Sequence, residues 1–328
     1  MIYPKSLKSE NTKIGITAMS AGVGKYIDEY KKSINNLEKH GFNIIETGNV
    51  RSLNNPSSSP DIRAKELDRL IMDEDVDMIM NASGGDFLFE MLPYINYENI
   101  KNNPKYIMGS SDATGVLYTV TTALDIATIY GFNAASYDQD NLHESQLNSF
   151  EIIKGNLIEQ NSYNKYQIEK DENNTSYNLT ENIYWETING DVNIKGRIIG
   201  GCIDCIRNII GTKFDKTKEF IDKYKEDGII WYFDNFALST EDFYLTLLQF
   251  KNSGWFNYTK GVIVGRVKYP SGFTDLTYQE ALTKALGNIP IIFNADIGHV
   301  VPKMTIINGS IATIISKDGK GKIIQEME

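Results

Sequence analysis

Short apolar runs alternate with amphipathic segments along the first 130 residues of the chain. The apolar runs predict buried strands at 13–19, 42–46, 76–80 and 106–108. Apolar residues recur at helical spacing in 28–40 and 62–72, and helices are also predicted at 87–92 and 113–130. Strands that alternate with helices predict a parallel α/β sheet with right-handed connections. Such a sheet binds ligands at the carboxyl ends of its strands.

The hydrophobic pattern changes beyond this region. Residues 140–190 are rich in Asn, Glu, Gln, Ser, Tyr and Lys and contain few apolar runs, which is typical of a connecting segment. The remaining pattern predicts strands at 194–199, 229–233, 262–267, 291–294 and 322–325, helices at 241–252 and 278–286, and a hairpin over 304–316 that turns at Asn308-Gly309. We therefore expect an N-terminal α/β domain (1–150), a polar connecting segment (151–190) and a C-terminal α/β domain (191–328).

Composition and charge exclude several classes of protein. The 328 residues suffice for two domains, and 41% hydrophobic with 23% charged residues is typical of globular proteins. A net charge of −10 argues against a surface that follows nucleic-acid phosphates. The first ten residues lack the apolar core of a signal peptide, and no run approaches the ~18 apolar residues of a membrane span. With only two cysteines, we expect a cytoplasmic protein that binds neither nucleic acid nor membrane.

The residues Gly109-Ser110-Ser111-Asp112-Ala113 end one predicted strand and begin the next predicted helix. A serine on such a tight turn stands clear of the sheet, beside the free N–H groups that open a helix. Ser111 is therefore a candidate nucleophile of the G-x-S-x-G type, although alanine occupies the last small position. The alternative is an N-cap with an acidic first turn, which has no catalytic role.

Two further residues could support a serine nucleophile. His299 follows a predicted buried strand on a glycine-containing loop, where an imidazole could act as general base or serve as a hydrogen-bonded structural residue. Asp234 ends the apolar run Ile-Ile-Trp-Tyr-Phe-Asp, and a carboxylate there needs a partner. It could orient an imidazole or close a strand-end turn.

Three other residues allow weaker inferences. Cys202 and Cys205 have the spacing of a redox pair, but they lie outside the βαβ pattern and no second pair is present for zinc, so we expect neither a redox nor a metal role. Trp185 lies in the polar connecting segment. It could fill the junction between domains or provide an aromatic platform for substrate.

Together, these stretches resemble the family of serine peptidases that contains the LD-carboxypeptidases and the microcin C self-immunity proteins. The similarity covers nearly the whole chain and follows its order. The matching motifs are Gly-Phe (41–42), Ser-Pro-x-x-Arg-Ala (59–64), Gly-Gly (84–85), Met-Leu-Pro (91–93), Gly-x-Ser-Asp (109–112), Gly-Arg-Ile-Ile-Gly-Gly (196–201), Ser-Gly-Trp-Phe (253–256), Ile-Val-Gly-Arg (263–266) and Gly-His-x-x-Pro-Lys-Met (298–304).

The resemblance implies a fold and a chemistry. The fold would be a parallel-sheet domain of the flavodoxin/Rossmann type followed by a mixed α/β domain of the swivelling type. Ser111, His299 and Asp234 would form a catalytic triad, and the backbone N–H groups of Gly85 and Asp112 an oxyanion hole. The family implies a cytoplasmic homodimer without a metal or organic cofactor. Its substrates would be an L,D-amide of a muropeptide or an amino acid joined to a nucleotide-like amine.

The chain departs from the family pattern at two positions. Asp234 stands where the family has glutamate, and Cys202 follows Gly-Gly where asparagine is usual. Aspartate can orient a histidine, but its side chain is one methylene shorter. The two resulting hypotheses are a serine carboxypeptidase-like hydrolase and a catalytically impaired binding protein of the same fold.

Overall fold

The fold is taken from a computed structural model that describes residues 1–5, 12–156, 159–171 and 175–327. The strands are β1 Thr12–Thr17, β2 Phe42–Glu46, β3 Met78–Asn81, β4 Tyr106–Gly109, β5 Thr128–Tyr130, β6 Glu159–Asn161, β7 Lys165–Tyr166, β8 Glu181–Asn182, β9 Glu186–Ile188, β10 Val192–Cys202, β11 Ile229–Asp234, β12 Thr259–Gly265, β13 Ile291–Ala295, β14 Ile306–Asn308, β15 Ile311–Lys317 and β16 Lys320–Glu326. The α-helices are α1 Ile27–Lys39, α2 Pro60–Met72, α3 Tyr97–Asn102, α4 Thr114–Leu124, α5 Glu144–Ile153, α6 Ile203–Ile206, α7 Thr217–Lys223, α8 Thr240–Asn252 and α9 Tyr278–Leu286.

The first sheet has the strand order β14-β5-β4-β3-β1-β2. Strands β1 to β5 are parallel and take the order 2-1-3-4-5, which is that of the flavodoxin-like doubly wound fold. All four residues of β3 and of β4 are buried, as expected for strands covered on both faces. The predicted parallel α/β sheet is confirmed.

The second sheet has the order β6-β16-β15-β10-β11-β12-β13-β9. Its four central strands, β10 to β13, are parallel, and the flanking strands pair antiparallel. The expected mixed α/β domain is therefore confirmed. Strands β6 and β9 come from the segment predicted to be a polar connection, and they form the two edges of this sheet.

Two predicted elements are wrong. Residues 304–316 do not form a hairpin, because β14 pairs with β5 of the first sheet, whereas β15 pairs with β10 and β16 of the second. The Asn308-Gly309 turn instead carries the chain from one sheet to the other. The predicted helix over 113–130 stops at Leu124, because Asp125 adopts a left-handed backbone with φ of 61° and the β-branched Thr128 and Ile129 begin a strand.

Helix α4 joins the two domains. It follows the Ser111 turn and packs against β10, α6 and α7 of the second domain. At its first residue the hydroxyl of Thr114 accepts a hydrogen bond from the backbone N–H of Cys202, at 3.0 Å. Further along, the hydroxyls of Tyr118 and Thr217 hydrogen bond at 2.8 Å. The carboxyl end of β4 is thereby held against the carboxyl end of β10. None of the helices in the described part of the chain combines the length and the apolar character that a membrane span needs.

Candidate active site

A cleft of about 790 Å³ lies between the carboxyl ends of the two sheets. Its walls come from loops of both domains. They include Gly84, Gly85, Ser110, Ser111, Asp112, Cys202, Asp204, Cys205, Phe236, His299 and Lys303. Of the residues predicted from sequence, Ser111, His299, Gly85 and Asp112 therefore meet at one cleft, and Asp234 contacts His299 from below its surface.

Ser111 occupies a strained turn directly after β4. Its φ is 61°, in the left-handed region that non-glycine residues seldom adopt. A single 3₁₀ turn over Ser111–Ala113 then leads into α4. The backbone N–H of Ser111 donates to the hydroxyl of Tyr130, at 3.3 Å, which helps to hold the turn. A strand followed by a strained serine and then by a helix is the arrangement that exposes a nucleophilic hydroxyl.

The predicted acid and base are in contact. Nδ1 of His299 lies 2.7 Å from Oδ2 of Asp234, although the ring N–H is not aligned with that oxygen as in a linear hydrogen bond. The backbone N–H of His299 donates to the other carboxylate oxygen of Asp234, at 3.2 Å. The side chain of His299 is 18% exposed and that of Asp234 is 0% exposed. The carboxylate thus holds the imidazole from below and leaves its other edge towards the cleft.

Asp234 is surrounded by groups that favour its charged form. The hydroxyl of Tyr130 donates to Oδ2 of Asp234. Burial alone would raise the pKa of Asp234, but His299, Tyr130 and Lys303 outweigh it, and the net pKa lies below its ordinary value. The space is also tight, since a Cβ on Gly298, which has a φ of 102°, would lie 2.1 Å from Oδ1 of Asp234. The aspartate is thus ionised and closely packed.

The loop that carries Gly84 and Gly85 lies over the nucleophile. A Cβ on Gly84 would be 3.3 Å from the hydroxyl of Ser111, and one on Gly85 would be 2.2 Å from the hydroxyl of Ser20. The side chain of Asp112 fixes this loop by accepting hydrogen bonds from Ser20 and from the backbone N–H of Leu88, at 2.8 Å. Desolvation by burial raises the pKa of Asp112. Gly84 therefore lies beside the hydroxyl of Ser111, with Gly85 next to it in the chain, and Asp112 directly follows Ser111.

Lys303 brings a buried positive charge to the same cleft. Its Nζ donates to the hydroxyl of Ser110, at 3.3 Å, and lies 4.9 Å from the centre of the Phe132 ring. Burial lowers the pKa of Lys303 to about 8, while the charge of Asp234 acts in the opposite direction. The amine therefore changes charge close to physiological pH.

Trp185 lies outside the cleft. Its side chain is fully buried, and its indole N–H donates to Asp296, at 3.1 Å. The ring packs so closely on Gly321 that a Cβ there would be 1.8 Å from it. These contacts support the interpretation of Trp185 as a packing residue and give no surface on which a substrate could stack.

Sequence reasoning did not identify two residues at the site. Tyr130 fell within a predicted helix, and the β-branched residues before it were the available signal for a strand. Lys303 lies four residues after His299, and a lysine in an apolar strand-end loop was the signal for a buried cation. Both contact a residue of the predicted triad or its neighbour.

The two-domain α/β architecture, with a cleft between its two sheets, defines the fold class, and the sequence identifies the family. Residues 14–131 match the LD-carboxypeptidase N-terminal domain, and residues 195–314 match the LD-carboxypeptidase C-terminal domain. The chain belongs to this LD-carboxypeptidase family, peptidase family S66.

Individual proteins similar to this chain agree with this assignment. A candidate carboxypeptidase of Vibrio cholerae is 26% identical over 328 residues, covering 96% of this chain and 95% of that protein. The microcin C7 self-immunity protein MccF of Escherichia coli is 24% identical over 315 residues, covering 91% of this chain and 88% of MccF. The structure of MccF in complex with aspartyl sulfamoyl adenosine shares the fold, with a TM-score of 0.83, 22% identity and 99% coverage of each chain.

Proposed function

We propose that the protein is a serine hydrolase that cleaves an amide of a small peptide or of an aminoacyl-nucleotide. The observation that carries this proposal is the Asp234–His299 pair, at 2.7 Å, in the wall of the cleft that the strained Ser111 also lines. A nucleophile, a base and an orienting carboxylate in one cleft are the three groups that acyl transfer requires.

The mechanism follows from these positions. Ser111 Oγ attacks the amide carbonyl carbon while His299 accepts its proton, and Asp234 stabilises the imidazolium. The C–N bond then breaks, the leaving amine takes the proton from His299, and an acyl-enzyme remains on Ser111. Water, deprotonated by His299, attacks the acyl carbon, and the released serine oxygen recovers the proton. Each cycle consumes one water and yields a carboxylic acid and an amine.

The negative charge of the tetrahedral intermediate needs donors. We assign this role to the backbone N–H groups of Gly85, which adjoins the Gly84 that lies against Ser111, and of Asp112, which follows Ser111 in the chain. Fixed donors of this kind contribute roughly 3–4 kcal/mol to lowering the barrier. The Asp112 side chain has a separate function in this scheme, because it holds the glycine loop rather than touching the reacting atoms.

The substrate class rests on the family and on the charges of the cleft. The acids Glu29, Asp86 and Asp138 and the base Lys303 all line it, so a substrate that carries both an amino group and an anionic group, either carboxylate or phosphate, finds partners for both charges. Muropeptides and aminoacyl-nucleotides both meet this requirement. MccF was crystallised with aspartyl sulfamoyl adenosine, which supports including the second class.

The test is hydrolysis of a panel that contains L,D-peptides and aminoacyl-nucleotides, with wild type, Ser111→Ala and Ser110→Ala compared. We expect Ser111→Ala to lower kcat by about 10⁴-fold or more, as loss of a serine nucleophile does in other hydrolases. The adjacent Ser110→Ala variant is the matched control and should keep most of the activity. Equal hydrolysis by wild type and Ser111→Ala would contradict the proposal.

The competing hypothesis is a binding protein of the same fold that has lost efficient turnover. Asp234 in place of glutamate and Cys202 in place of asparagine are the observations that favour it. Calorimetry separates the two hypotheses. If wild type and Ser111→Ala bind one analogue equally well and neither releases product from any member of the panel, the binding hypothesis is the better one.

A further inference from the structure

A thiol lies beside the acid and base of the cleft. Cys202 ends β10 and Asp234 ends β11, and the two are register partners on neighbouring parallel strands. His299 comes from the loop after β13. The sulfur of Cys202, a carboxylate oxygen of Asp234 and a ring nitrogen of His299 all lie within 4.8 Å of one another. The strand register therefore brings together three side chains that are well separated in the sequence.

A second thiol adjoins this cluster. Cys205 lies on α6, three residues after Cys202, and the two thiols are close enough for each to shift the pKa of the other. Its sulfur also lies 3.7 Å from the backbone carbonyl oxygen of Ser111. In the folded protein, the imidazole of His299 and the carboxylate of Asp234 thus lie near the two cysteines.

Two thiols, an imidazole and a carboxylate are a donor set that suits zinc. Hard cations such as Mg²⁺ and Ca²⁺ prefer sites composed of oxygen ligands. We propose that Cys202, Asp234 and His299, with Cys205 as the fourth donor, form a binding site for a thiophilic divalent cation of the zinc type, which blocks catalysis while it is bound.

The dimensions of the cluster suit such an ion. Zinc bonds of about 2.0–2.3 Å in a tetrahedron place ligand atoms roughly 3.5 Å apart. The separations of up to 4.8 Å among Cys202, Asp234 and His299 therefore need to shrink by on the order of 1 Å, which rotation of the Cys202 and His299 side chains can supply. The thiol of Cys205 has to turn towards them from the carbonyl oxygen of Ser111. An ion can also reach the site from solvent, because Cys202, Cys205 and His299 line the open cleft.

Binding and catalysis compete for the same atoms. A ring nitrogen of His299 that is bound to a metal cannot accept the proton of Ser111, and a ligating Asp234 no longer orients the ring. The inhibitory part of this inference rests on the proposed hydrolase function. The metal site itself does not, and it is measured separately.

The first experiment measures binding on the full chain, freed of metal by a chelator and kept reduced so that no Cys202–Cys205 disulfide forms. Co²⁺ is titrated as a coloured substitute for zinc, and Zn²⁺ affinity is measured against a chromophoric chelator. We expect one tetrahedral Co²⁺ per chain with a thiolate-to-metal absorption band. Cys202→Ser should weaken that band, because only Cys205 then supplies a thiolate, and should weaken Zn²⁺ binding by at least about 100-fold, since one of few ligands is lost.

A histidine outside the site provides the control. His143 caps α5 through its Nδ1, 3.1 Å from the backbone N–H of Ser145. His143→Asn should leave both the spectrum and the Zn²⁺ affinity unchanged. An octahedral spectrum without a thiolate band in the wild type, or equal Zn²⁺ affinity in wild type and Cys202→Ser, would overturn the proposal. The wild-type spectrum decides the matter even if Cys202→Ser folds poorly.

The second experiment measures inhibition. Zn²⁺ should abolish hydrolysis with the midpoint found for binding, and a chelator should restore it. Binding without any hydrolysis in the absence of metal would contradict the hydrolase but leave the metal site intact. Hydrolysis that persists when the site is saturated would refute the competition between ion and catalysis.

Discussion

Removal of one hydroxyl, in Tyr130→Phe, tests how the carboxylate of the proposed triad is held. The hydroxyl of Tyr130 donates to Asp234 and accepts from the backbone N–H of Ser111. A hydrogen bond to a charged group contributes about 1.5–3 kcal/mol and a neutral one about 1 kcal/mol. Since the first is buried and the second partly buried, we expect Tyr130→Phe to lower the free energy of unfolding by about 2–4 kcal/mol.

The same substitution should slow catalysis. It raises the pKa of Asp234 towards its ordinary value, because a donor to the ionised form is lost. It also frees the backbone turn that presents Ser111. Loss of 1.4 kcal/mol of transition-state stabilisation lowers a rate tenfold, so kcat/KM should fall by about 10-fold or more.

The chain offers a matched control. Tyr232 is also buried, its hydroxyl donates to Asn308 at 2.9 Å, and its ring lies 5.7 Å from that of Tyr130. Tyr232→Phe removes the same atom from a neutral acceptor, so it should cost only about 0.5–1.5 kcal/mol and leave kcat/KM unchanged.

The assay is urea denaturation at pH 7 and at a series of pH values below 4, with hydrolysis measured at pH 7. Because the pKa of Asp234 is lowered in the folded protein, its ionisation stabilises the fold at pH values above its pKa in the unfolded chain, near 3.9. This stabilisation is lost as the pH falls through the pKa of the folded state. The difference between wild type and Tyr130→Phe should therefore shrink at acid pH. Equal losses for both tyrosine variants, with activity unaffected, would refute the role assigned to Tyr130.

Three further predictions concern other residues of the cleft and its surroundings. Asp234→Glu restores the residue implied by the family, but it should destabilise the fold by about 1–3 kcal/mol and fail to raise kcat, because Gly298 already packs against the aspartate. A variant that is faster and equally stable would contradict this. Trp185→Phe should cost about 1.5–3 kcal/mol through the hydrogen bond lost to Asp296 while KM stays unchanged, whereas a raised KM would support the substrate-platform hypothesis. Lys303 is positive below its pKa of about 8 and neutral above it, so KM for a substrate carboxylate should rise above that pH. Lys303→Met should show a high KM throughout without this dependence, and an unaltered pH profile would argue against substrate contact.

Local sequence patterns were sufficient to predict the candidate catalytic residues, because these residues lie at the ends of strands. Ser111, Asp234 and His299 each come at or just after the end of a short apolar run, and the carboxyl ends of parallel strands meet in one crevice. Their convergence in one cleft therefore followed from the α/β alternation together with the family resemblance.

Long-range pairing limited the prediction elsewhere. Strands β5 and β14 have three residues each, too few for a period, and β14 pairs with a strand about 180 residues earlier in the chain. For this reason Tyr130 was placed in a helix, and a hairpin was wrongly predicted over 304–316. The proximity of Cys202 to Asp234 depends on the register of β10 against β11, which no local pattern reveals.

The path of the chain around His299 has a consequence for dividing the protein. The loop with His299 begins at the end of β13, in the second sheet, and ends at β14, in the first. If the chain were cut within the connecting segment, the N-terminal piece would lack β14. Strand β5 would then be an unpaired edge of the first sheet, which favours aggregation. The two halves are thus poor candidates for separate expression or for exchange between relatives. The C-terminal half carries both His299 and β14, although β14 belongs to the sheet that positions Ser111.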